Sequence, residues 1–392
     1  MNIHQLYAYA QELSSWSVET RRQFHQIPEA GFAEFKTQAL ICEKLKALNI
    51  PYTTERTWIV AEIRGGQSGP TVALRADIDA LPVTEPADCP YCSLHEGWMH
   101  ACGHDAHTAI QLTAAQMLCK LRDQLKGSVR LLFQPAEETV GGAKPMIEAG
   151  VMRGVDAVYG LHVQPYLNVG QIDSIPGPLN AATDEIEITV EGFSSHAAYP
   201  HLSVDAIVCA AQLITALQTI VSRNTDPLMP AVLSLGILQG GTAKNVICDQ
   251  VYIAGTLRTA TPELRAAHLQ RIQEICDGVA LANHAKIRFN RTGGYSALVN
   301  HPGETQRLFR LGKALLGEEN TQLKPHISMG GEDFSYFLEE VPGTFYHLGC
   351  SDHQPAPSLH RPDFTVDERC LPIGAALQSA LVLDRIGLLD NH

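Results

Sequence analysis

The chain has no excess of basic residues: 29 Lys and Arg face 42 Asp and Glu, a formal net charge of −13. A surface of that sign gives nucleic-acid binding no electrostatic support, and a small substrate is the natural partner. The opening stretch from Met1 to Glu29 lacks a continuous apolar core, because His, Gln, Glu and Arg recur throughout it. It therefore reads as neither a signal peptide nor a membrane anchor. No other run approaches transmembrane length, so no membrane partner is expected. The ten cysteines lack the spacing of a disulfide framework, which points to reduced thiols and a cytoplasmic protein. Cys89 and Cys92 form a C-x-x-C in a Pro-rich loop, and they read as ordinary loop thiols in preference to a redox or zinc pair. Internal repeats and low-complexity tracts are absent.

What is present suits two folded domains: 392 residues, 45% hydrophobic and 18% charged. The segment Ile3 to Leu48 reads as helical, with a break near Pro28 and Gly31. Apolar runs at Thr71–Leu74, Ser128–Phe133 and Asp156–Leu161 read as strands, and Ala106 to Leu125 carries helical periodicity. Strands alternating with helices indicate an α/β fold with a mostly parallel sheet. From Glu185 to Asn290 the order becomes β-α-β-β-α-β, the ferredoxin-like α+β pattern, read as an inserted domain. The expected organisation is a catalytic domain from 1–182 and 295–392, interrupted by an insertion at 183–294.

Each of the three strands leads into a potential acid, base or ligand: Asp77, Glu137 with Glu138, and His162. Functional crevices in open α/β sheets lie beyond the carboxyl ends of the strands, so these residues are expected along one edge. The densest signal is His100-Ala101-Cys102-Gly103-His104-Asp105-Ala106-His107, where thiol and imidazole suit zinc and similar ions. A bland alternative makes Asp105 a helix cap among surface histidines. Adjacent glutamates diverge, so one of Glu137 and Glu138 can bind metal while the other works as a base on water. His162, Leu359-His360 and Ser194-Ser195-His196 gain meaning only in combination.

The ordered set R-A-D-I-D-A-L-P (75–82), M-H-A-C-G-H-D-A-H (99–107), Q-P-A-E-E (134–138), G-L-H (160–162), S-S-H-A-A-Y-P-H (194–201), M-G-G-E-D-F (329–334) and L-H (359–360) resembles the aminoacylase, hippurate hydrolase and auxin-conjugate hydrolase family. That family is similar to dinuclear metallopeptidases such as glutamate carboxypeptidase and succinyl-diaminopimelate desuccinylase. The resemblance implies a zinc-peptidase-like sheet flanked by helices and an inserted dimerisation domain. It implies two divalent ions per subunit, Zn, Mn, Co or Ni, on Cys102, His104, Glu138, His162 and His360. Glu137 becomes the general base, and Asp77 the acid that orients the metal site. By the same resemblance His196 is expected to reach the partner subunit's site and stabilise an oxyanion, and Asn245, Arg258 and Gly330 are expected to contact substrate. Distant relatives carry a metal-binding histidine where this chain has Arg75, and Cys102 is the replacement ligand. The implied activity is hydrolysis of N-acyl amino acids, N-acetyl or N-benzoyl in type, in a homodimer. The alternative is a metallo-dipeptidase or aminopeptidase on the same site.

Overall fold

The computed structural model describes residues 1–86 and 89–390. The chain forms two compact units, one of Met1–Leu179, Val299–His326 and Asp333–His392, the other of Asn180–Leu298 and Ile327–Glu332. The chain thus enters the smaller unit a second time, a return the sequence reading does not contain. Backbone bonding accounts for it: Ala181 N–H donates to the Ser328 carbonyl at 2.8 Å.

The larger unit is built on an eight-stranded sheet. In spatial order its strands are Tyr52–Glu55, Trp58–Arg64, Lys126–Gln134, Gln67–Asp77, Ala157–Asn168, Gly343–Ser351, Ile172–Ser174 and Thr321–Leu323. The four central strands, from Lys126–Gln134 to Gly343–Ser351, run parallel. Their side chains are buried on both faces, as helix-covered parallel strands must be. Helices His104–Lys120 and Cys370–Arg385 are buried on almost every side, because alanines and leucines ring both. The expected N-terminal helix is three, Ile3–Glu12, Ser14–His25 and Phe35–Ala47, with an added break at Leu13. The strands Tyr52–Glu55 and Trp58–Arg64 are additions to the expected set.

One expectation needs correcting here. His162 does not end its strand, which continues to Asn168. It still shares a level with Asp77, since each lies two residues beyond the paired Arg75 and Gly160.

The smaller unit is a four-stranded antiparallel sheet in the order Lys286–Gly293, Ala182–Glu191, Gln250–Thr259, Ala231–Gly240. Numbered along the chain this is 4-1-3-2, the ferredoxin-like arrangement. Helices Ala206–Leu217 and Pro262–Asn283 pack on it around a core of Ile186, Ile188, Leu213, Ile253 and Ile272. A second correction concerns apolar length. Ala206–Asn224 spans 19 residues and is apolar enough to cross a membrane by length and composition alone. The stretch is broken at Gln218 into two helices, and Cys209, Ala210, Leu213, Leu217 and Ile220 form a buried face within the unit's own core.

Candidate active site

The site begins with a glycine. Gly103 stands at φ +85°, and a Cβ there would meet the Val163 side chain at 2.4 Å. Only glycine takes that conformation and that approach without strain, and its turn puts Cys102 and His104 on one side. His100, His104 and His107 are all buried, so the surface-histidine alternative does not hold.

His104 donates from Nδ1 to Asp79 at 3.2 Å. Its Nε2 then faces the Asp77 carboxylate at 3.7 Å and the Glu138 carboxylate at 3.8 Å. Burial alone would lower the His104 pKa, but Asp77, Asp79 and Glu138 together raise it to about 10. Asp77 accepts from Arg75 at 2.8 Å and pairs with His107 Nδ1 at 2.5 Å, while His107 Nε2 accepts the Val163 N–H at 2.9 Å. His107 therefore has both nitrogens committed. Burial would raise Asp77, yet His104, His107 and Arg75 hold it well below the usual carboxylate range.

Cys102 sits between two imidazoles, with Sγ 3.3 Å from His162 Nε2 and 3.3 Å from His360 Nε2. His162 donates from Nδ1 to the Val163 carbonyl at 2.6 Å, which leaves the Nε2 lone pair facing the sulfur. Burial, followed by His107, keeps His162 well below its ordinary pKa and hence neutral. His360 Nε2 also lies 3.2 Å from Glu138, and burial followed by Glu138 and Glu137 pushes the Cys102 thiol far up. Two residues at this cluster are left-handed without being glycine: His360 at φ 66° and Ala136 at φ 57°. Such strain persists where the surroundings over-determine it, commonly at functional sites.

The donors fall into overlapping groups whose ligand atoms lie within 4.8 Å of one another: Cys102 with His104 and His162, Cys102 with Glu138 and His360, and His104 with Glu137 and Glu138. His104 Nε2 is buried and makes no hydrogen bond. Leaving such an atom orphaned is costly, and a cation would satisfy it. Sulfur, imidazole and carboxylate donors fit a borderline divalent ion.

The remaining candidates lie in the smaller unit. His196 is exposed and accepts the Ala198 N–H at Nδ1, so Nε2 carries its proton. Asn245 lies beside it, its carbonyl accepting the Ala197 N–H at 3.0 Å. Arg258 reaches the Met329 carbonyl at 3.5 Å, adjacent to Gly330.

Several residues were not singled out in the sequence. Asp79, not Asp77, bonds the imidazole of His104, and it also accepts the Glu138 N–H at 3.0 Å. The D-I-D spacing was the available signal, since alternate residues share a face of extended chain. Asp105 pairs with buried Arg21 and His25, each at 2.7 Å, from a segment 80 residues away. Nothing local announces that pairing. Removing one partner of a buried pair of this kind costs roughly 3–5 kcal/mol.

An N-acetyl-L-cysteine deacetylase of Bacillus subtilis is 45% identical over 354 residues, 90% of this chain and 83% of its own length. An N-acetyldiaminopimelate deacetylase of Leuconostoc mesenteroides is 40% identical over 361 residues, 90% of this chain and 92% of its own. The crystal structure of a dinuclear metal-binding peptidase from Bacillus subtilis superimposes with a TM-score of 0.85 at 34% identity, covering 97% of this chain and 100% of that one. The model of Peptidase family M20/M25/M40 matches residues 73–384. The chain is an enzyme that hydrolyses amide bonds, and it belongs to Peptidase family M20/M25/M40.

Proposed function

We propose that this enzyme cleaves the amide of an N-acyl amino acid, N-acetyl or N-benzoyl in type, releasing the amino acid and a carboxylate. The observation that carries the reading is the Cys102 sulfur shared by two donor groups, with the adjacent Glu137 and Glu138 beside them. The two relatives named for deacetylating N-acetyl amino acids support the substrate class.

In this reading Cys102, His104, Glu138, His162 and His360 hold two divalent ions, zinc, manganese, cobalt or nickel. When bound, the ions polarise the acyl carbonyl and acidify water. Glu137 takes the proton from the attacking water and later gives it to the leaving nitrogen. Asp79 and Asp77 orient the ligand set, the first through the His104 Nδ1–H and the second through Arg75 and His107. His196, whose Nε2 carries the proton, donates to the developing oxyanion of a second copy of the chain. Arg258, Asn245 and Gly330 hold the substrate, the guanidinium suiting a carboxylate. The protein acts in the cytoplasm as a homodimer through the smaller unit, in keeping with ten unpaired cysteines and an exposed apolar edge at Ile237 and Leu238.

A panel of N-acyl amino acids and unblocked dipeptides tests the reading, run after chelation and again after each ion is returned. N-acyl substrates should be cleaved, activity should vanish with chelator, and one or more ions should restore it. Preference for free dipeptides would instead identify a dipeptidase.

A further inference from the structure

The connection between strand Gln67–Asp77 and helix His104–Lys120 is 26 residues long, positions 78–103. Among its described residues it holds no helix or strand, only an isolated bridge between Leu81 and Met99. Connections longer than about 12–15 residues without structure of their own are uncommon in compact units and need some other constraint. This one carries a donor cluster separate from the site above: Glu85, Cys89 and Cys92 place one ligand atom each within 4.8 Å of one another.

We infer that Cys89, Cys92 and Glu85 form a further cation site, for a soft or borderline divalent ion such as zinc, which clips this connection closed. The donor chemistry fits, since two thiolates and a carboxylate are zinc ligands, and water completes a tetrahedral set. The thiols share one turn: Cys89 N–H donates to Cys92 Sγ at 3.1 Å, and Cys92 N–H to the Cys89 carbonyl at 3.3 Å. Glu85 is held as an outer shell holds a ligand. One oxygen pairs with His25 Nε2 at 2.8 Å and the other accepts the Ser93 N–H at 2.7 Å, each oxygen retaining a lone pair. Binding releases the two thiol protons to solvent, and the one Cys92 now gives to the Cys89 carbonyl at 2.7 Å is among them. Position gives the clip its consequence. Tyr91, inside the turn, bonds Arg21, and Glu85 bonds His25; Arg21 and His25 together hold Asp105, the residue after His104.

Cadmium titration of the reduced, metal-stripped full chain tests the inference, followed by thiolate-to-metal charge-transfer absorbance in the ultraviolet. Wild type should bind one more ion per chain than the Cys89→Ser/Cys92→Ser double variant. The double variant should lose the absorbance of two thiolates, while Cys102→Ser keeps it and loses a different one. Glu85→Gln should keep the absorbance but weaken this ion's affinity by at least roughly tenfold, since losing a ligand costs no less than losing a residue that orients one. Equal ion counts and equal absorbance in wild type and the double variant would overturn the site. So would recovery of Cys89 and Cys92 as a disulfide that takes no ion under reducing conditions. The Cys102→Ser arm reports on the other centre alone, so failure there leaves this result readable.

Discussion

Ala136 decides how two consecutive glutamates can do different work. Its left-handed backbone turns the chain immediately before Glu137 and Glu138, and its N–H is fixed by the Glu34 carboxylate at 2.9 Å. If Glu137 moves the proton while Glu138 holds metal, Glu137→Gln should keep the metal content and lower kcat by about 10²–10⁴. Metal analysis beside steady-state rates checks this, and an unimpaired kcat would remove Glu137 from its role. Glu34 itself titrates abnormally. Burial pushes its carboxyl from the ordinary 4.5 up to about 7, Thr57 opposing and Asp79 adding. The folded chain then keeps a proton that the unfolded chain gives up. The stability from this group is whole below the ordinary value and is lost as pH rises through about 7. Glu34→Gln cannot ionise, so its unfolding midpoint should gain on wild type between about pH 5 and about pH 8. A pH-independent difference would show that Glu34 is not the group responsible.

Helix His104–Lys120 shows what one element contributes. Its start is set by Gly103, its first turn carries Asp105, and its buried alanines let it sit against the sheet. Gly103→Ala meets both the left-handed penalty of roughly 1–2 kcal/mol and the Val163 side chain. The expected result is a destabilised protein by chemical denaturation, with weakened metal retention because Cys102 and His104 flank the turn. Unchanged stability would mean that the turn relaxes without cost. Helix and strand periods were legible for this helix, for the strand that ends at Asp77 and for the strand that precedes Glu137. The extension of Ala157–Asn168 past His162 was not, because the expected boundary rested on a histidine and a strand tolerates one where its neighbours bury it.

At the scale of the molecule, the smaller unit leaves an edge strand, Ala231–Gly240, with Ile237 46% and Leu238 61% exposed. Exposed apolar edges invite pairing with another chain. If the proposed homodimer pairs along this edge, Ile237→Lys with Leu238→Lys should yield monomers in sedimentation, raising the dissociation constant at least tenfold, about 1.4 kcal/mol. Neither side chain belongs to the unit's buried core, so the circular dichroism spectrum should not change. Unaltered association would remove this edge from the proposed dimer contact.

The sequence alone determined the class of chemistry and the alternation of elements, because thiol, imidazole and carboxylate types and the periods of helix and strand are local properties. Cys102, His104, Glu137, Glu138 and His162 could be nominated on residue type and on their places beside periodic segments. Tertiary structure alone decided which carboxylate serves which imidazole, since Asp79 and Asp77 differ only in where the strand register and His107 put them. It also decided that Arg21 and His25 stand behind Asp105, a buried charge pairing created by packing of a distant helix and invisible to any local pattern.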